Sequence, residues 1–79
     1  AGESVRGLVA VDRAGPVRVR VRDAAHRAVR ILADAELPAR AAAFAWDGRD
    51  GAGAVARAGT YFITATTPSG AGTRRVEVR

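Results

Sequence analysis

Asp47 and Asp50 have the strongest claim to chemistry in this chain. They stand in Trp46-Asp47-Gly48-Arg49-Asp50-Gly51-Ala52-Gly53, where carboxylates are interleaved with glycines. Carboxylates in a glycine-rich loop are the donors a calcium site uses. This spacing departs from the EF-hand pattern, however, and no Glu closes the loop. An Asp in such a stretch is better suited to accepting backbone N–H groups of its own turn. His26 is the only histidine, there is no cysteine, and neither Ser4 nor Ser69 has a base beside it. No nucleophile–base pair is therefore apparent, and no set of residues fills the roles of an active site. A glycine-rich loop cradles phosphate ahead of a helix with a Walker or Rossmann pattern, whereas this one lies between strands. The expectation is a non-enzymatic domain with no catalytic group, cofactor or metal.

Arg18, Arg20 and Arg22 form the other conspicuous set, a basic stripe along one face of a strand. A nucleic-acid surface would add lysines and exposed aromatics, and the few aromatics here are expected in the core. The stripe reads as the solvated face of an antiparallel sheet or, because Arg is enriched at interfaces, as a protein-contact surface.

Composition sets the scale. Seventy-nine residues make one small domain with a modest core. Without cysteine there is no disulfide framework. No apolar run has membrane-span length, and no signal peptide is visible. The formal charge is +5, and all 13 basic residues are Arg. Heavy use of Ala, Gly and Arg fits a GC-rich genome, so the charge alone says little about nucleic acid. The chain begins at Ala1 and is expected to be a fragment or a processed chain.

The elements that must position these residues read as strands. Ser4 to Val11 carries Val5, Leu8, Val9 and Val11, with Gly7 marking a bulge. Asp12 to Pro16 is a turn. Val17 to Arg22 alternates strictly, which puts three Val on one face. A turn at Asp23 to His26 leads to a partner strand, Arg27 to Leu32, with Val29 and Ile31 inward. Ala33 to Arg40 has Ala-rich, helix-favouring composition, but Pro38 opposes a helix that continues through it, and the stretch reads as a loop.

Ala41 to Trp46 has helical composition. Alternation of Ala42, Phe44 and Trp46 nonetheless favours a strand, because the two aromatics then share a buried face. Asp47 to Gly53 is a turn whose Gly48, Gly51 and Gly53 supply positive φ, and Ala54 to Ala56 is a short extended piece. Tyr61 to Thr66 is a strand with Tyr61, Ile63 and Ala65 on one face. After a turn at Pro68 to Gly72, Thr73 to Val78 closes the chain with Val76 and Val78 inward. Six or seven short strands point to an all-β sandwich.

Trp46-Asp47-Gly48, Asp50, Gly53, Gly59 and Tyr61 spell W-D-G-x-D-x-x-G-x-x-x-x-x-G-x-Y, and Phe44 stands two residues before the Trp. This pattern, with the hairpin from Val17 through Arg27-Ala28-Val29-Arg30-Ile31-Leu32, resembles the immunoglobulin-like domain of the bacterial flagellar hook-capping family, FlgD. The likeness spans roughly Val5 to Val78. It departs where the family has Gly at the positions of His26 and Arg40, and often Pro at that of Arg57.

The resemblance implies an immunoglobulin-like or fibronectin III-like antiparallel β-sandwich of about seven short strands. It implies a scaffold at the growing hook tip, extracellular on the flagellum. The implied partners are flagellar hook protein subunits and further copies of the parent protein, with neither nucleic acid nor membrane. The family's Tudor-like barrel and N-terminal export region are not within this stretch, so residues 1–79 would be the immunoglobulin-like module alone. A similar module is appended to secreted bacterial enzymes and surface proteins, and the motif does not separate the two settings.

Overall fold

Val17, Val19 and Val21 are buried while the arginines between them turn away. The strand they form is the axis of the fold. The computed structural model describes residues 5–78 as six antiparallel strands, with no helix among the described residues. They are β1 (Val5–Ala10), β2 (Gly15–Asp23), β3 (Ala28–Leu37), β4 (Ala41–Trp46), β5 (Gly59–Thr67) and β6 (Gly70–Val78). One sheet has the order β3-β2-β5-β6 and the other pairs β1 with β4. The layers enclose Val9, Val11, Val17, Val19, Val21, Trp46, Tyr61, Ile63 and Val76. Alternating inward positions of two antiparallel layers thus make the single core expected of a sandwich.

The strands number six, where about seven were expected. The missing one is Ala54 to Ala56, which keeps only an isolated bridge between Arg49 and Val55. Its backbone bonds stay local: Asp50 N–H donates to Ala54 O (2.9 Å) and Ala56 N–H to Gly48 O (2.8 Å). A loop that satisfies its own donors has no need of a sheet edge.

Three further expectations are corrected. Gly7 is not a bulge, because β1 and β4 pair in unbroken register from Val5 opposite Trp46 to Ala10 opposite Ala41. Gly7 instead makes room: a β-carbon there would stand 2.5 Å from Phe44 Cζ. Ala33 to Leu37 is not loop but the second half of β3, paired with Gly15 to Val19. Small residues hide the alternation, and Pro38 ends the strand. Ile31 does not face the core and is 56% exposed. Register shifts between Val19 and Arg20, and between Val21 and Arg22, leave Leu32 and Val29 as extra residues in β3. Each bulge resets the alternation, so Leu32 and Val29 pack on the core instead. Ser4, expected to open the first strand, lies outside the described residues.

The β2–β3 turn places a side chain, His26, where the resemblance led to the expectation of Gly. His26 holds φ +63, the left-handed region that side chains seldom occupy. Asp23 organises the turn: its Oδ1 accepts Ala25 N–H and Arg27 N–H, each at 2.9 Å, and its Oδ2 accepts Arg27 Nε–H at 3.0 Å. The backbone bond from Arg27, aided by its guanidinium, holds the Asp23 carboxyl below its ordinary pKa. Folding therefore favours the deprotonated form. The stability this adds is present above the unfolded-state pKa of about 3.9 and is lost as pH falls through the lower folded value. Asp23→Asn should accordingly lower the melting temperature at neutral pH, and the gap to the native chain should close in strong acid. A gap that stayed constant with pH would contradict the carboxylate's role.

Candidate functional site

β4 ends at Trp46, which is fully buried, and the motif loop begins there. The indole Nε1–H donates to Arg49 O at 2.8 Å, so the ring is buried without leaving its polar atom unpaired. Asp47 Oδ1 accepts Arg49 N–H at 3.0 Å and pairs with Arg30 at 2.6 Å. Asp50 Oδ1 accepts Ala52 N–H (2.9 Å) and Ala54 N–H (3.0 Å). Both carboxylates thus hold their own turn. Gly48 and Gly53 carry φ +77 and +88, which favour glycine. Gly51 does not share that role, since its φ is not positive. Its N–H instead donates to Val29 O (2.9 Å), the carbonyl of an extra residue in β3, and so clasps the loop to the sheet.

Gly59 opens β5 and places Tyr61 against Trp46, with ring centroids 5.2 Å apart and planes tilted by 59°. The Tyr61 hydroxyl donates back to Arg57 O at 2.8 Å. A buried Tyr bonded to backbone a few residues upstream, early in a strand, is the tyrosine corner of immunoglobulin-like sandwiches. The bond needs only the backbone carbonyl at position 57, which Arg57 supplies. Tyr61→Phe removes the donor and strands that carbonyl. We expect a loss of about 1–3 kcal/mol, read as a lower urea midpoint with an unchanged slope.

Phe44, Trp46, Asp47, Gly48, Asp50, Gly53, Gly59 and Tyr61 therefore come together as a folding unit. Phe44 and Trp46 share the inner face of β4, as their alternation indicated. No three His, Asp or Glu side chains gather as a metal site among the described residues.

The outer face of the four-stranded sheet carries the surface chemistry. Arg18, Arg20 and Arg22 project there, opposite Thr66, Thr64 and Phe62 of β5. Arg18 meets Asp34 at 3.4 Å, an exposed pair of little energetic weight. Arg20 and Arg22 have no ion-pair partner among the described residues, and Arg20 Nε is covered without an acceptor. Phe62 lies on this face rather than in the core, stacked on His26 at 6.0 Å. Exposed Ile31 stands opposite Arg20. The alternation that turns Tyr61 and Ile63 inward could have revealed Phe62. No sequence signal marks Ile31, because its position depends on bulges. The result is two unpaired guanidinium groups beside a half-buried aromatic and an exposed aliphatic residue. Arg and aromatic side chains are types enriched in protein interfaces.

The comparisons with known proteins agree with this geometry. No curated protein and no solved structure matches the chain. A family model described as FlgD Ig-like domain matches residues 2–71, which span β1 to β5, the Trp46 loop and the tyrosine corner. The chain belongs to the FlgD Ig-like domain family.

Proposed function

We propose that this domain is a structural scaffold of a flagellar hook-capping protein that assists hook-subunit assembly through protein–protein contact. The family match over residues 2–71 carries the reading. The geometry supports it, since the motif carboxylates are spent on turns. The contact surface is the outer face of the four-stranded sheet, with Arg20 and Arg22 as its charged centre and Phe62 and Ile31 as its apolar part. Arg18 contributes at the margin. Hook subunits, and further copies of the parent protein, would present carboxylates and apolar side chains to it. In this role the module works outside the cell, at the flagellar hook.

The test is a strain whose parent gene carries Arg20→Glu and Arg22→Glu. These half-buried, outward side chains anchor no part of the core, so the domain should fold and export normally. Hook length and swimming should fall sharply. Normal hooks in a strain deleted for the parent gene would overturn the hook-cap assignment. Such a result would favour an accessory module of a secreted enzyme or surface protein.

A further inference from the structure

The sandwich is open along one side. Among the described residues β1 pairs only with β4, and β6 only with β5, so two strand edges flank a cleft of about 500 Å³ that opens to solvent. Phe44, Val9, Ile63 and Ala65 floor it. Gly7 lets the Phe44 ring cross over β1 to reach it. On the β6 side, Gly72 lies opposite Ala65 and so carries no side chain into the space.

The backbone of β1 is oriented to use this cleft. Val11 N–H donates to Arg40 O at 3.1 Å, so the odd-numbered residues here turn their backbone groups toward β4. In an antiparallel ladder the intervening residues then turn theirs to the opposite edge. These are Arg6, Leu8 and Ala10. Arg6 O fits that parity, because it accepts Arg74 Nη1–H from across the cleft at 3.3 Å. The N–H and C=O groups of Leu8 and Ala10 have no backbone partner among the described residues. Leu8 itself is 73% exposed. The two ends of the cleft differ in charge, with Arg6 and Arg74 at one and Asp12 at the other.

We propose that this edge is a strand-acceptor site, in which an extended peptide of a partner protein pairs antiparallel to β1 and sets alternate apolar side chains on Phe44. The free ladder supplies affinity and the apolar floor supplies register, the usual division of labour in β-augmentation. Charge selects the occupant: antiparallel pairing brings the incoming strand's C-terminal end to Arg6 and Arg74, so that end is acidic. The site is separate from the arginine face of β2. It stands whether or not the parent protein caps hooks.

The probe is an acetylated hexapeptide of alternating valine and threonine ending in glutamate amide, titrated into the isotope-labelled 79-residue chain. Amide signals of Leu8 and Ala10 should shift in proportion to peptide and exchange more slowly with solvent. A peptide ending in lysine should bind several-fold more weakly. Gly72→Leu plugs the cleft at a position with open space around a β-carbon. Leu8→Pro deletes the outward N–H without touching the β4 ladder. Each should weaken binding about tenfold, with Trp46 fluorescence reporting that the core is intact.

Any of four results would overturn the proposal. One is no shift at Leu8 or Ala10 up to about 5 mM peptide. A second is shifts confined to Arg20 and Arg22, and a third is affinity untouched by Gly72→Leu. The fourth is protection of these amides before any peptide is added. That would assign the edge to a second copy if it varied with concentration, and to the chain's own residues if it did not.

Discussion

Trp46→Ala is expected to unfold the domain. Trp46 is fully buried, packs its ring at a tilt against Tyr61 and bonds Arg49 O. Truncating a large core aromatic costs about 3–5 kcal/mol. A domain of this length has a total stability of only several kcal/mol, about 12 at most. Loss of β-sheet circular dichroism at room temperature, or a collapsed urea midpoint, is the measurement. Trp46→Phe separates two contributions. It keeps most of the ring and loses the N–H bond, so it should cost about 1–3 kcal/mol and leave the domain folded. A Trp46→Ala variant that melted like the native chain would refute the anchoring role. A Trp46 and Tyr61 double-mutant cycle should return a coupling of roughly 0.5–1.5 kcal/mol from the tilted ring pair.

Gly7→Val should destabilise the domain even though valine is the better strand former. The ring of Phe44 occupies the space a side chain would need. Forcing atoms into a packed site costs about 1–3 kcal/mol. Phe44→Leu also destabilises when made alone. In the double variant the two costs should fall short of their sum by at least about 0.5 kcal/mol, because the shortened side chain vacates the room valine needs. If Gly7→Val raised the melting temperature, propensity would have outweighed packing and the close approach would be wrong.

The difference between what the chain discloses and what it hides has a physical pattern. Val17 to Arg22 was legible because large apolar and charged residues alternate, and a two-residue period has one cheap solution. The Trp46 loop was legible because its chemistry is local. Asp47 and Asp50 bond backbone within four residues of themselves, and Trp46 bonds three residues on.

The hidden features are relations between strands. Ile31 faces out because β3 holds two more residues than β2 can pair, which no window on β3 alone contains. Gly7 owes its identity to Phe44, far along the chain. Ala33 to Leu37 carries too little side-chain contrast to declare itself, and forms a strand because β2 offers it a ladder. The Trp46 unit could be assembled from sequence, whereas Ile31 of the outer face needed the fold.

The bulges in β3 have one more consequence. β3 is the outermost strand of its sheet on that side, and two unpaired residues break the even spacing of its free edge. A twisted, interrupted edge is a poor template for another chain. Pro38 follows directly after it. β1, an edge strand of the other layer, is continuous in register and unbroken by proline. The module therefore has polarity as a building block, one flank guarded against growth and the other receptive. A chain joined at β1 would thus turn the interrupted edge of β3 outward, which disfavours further growth from that flank.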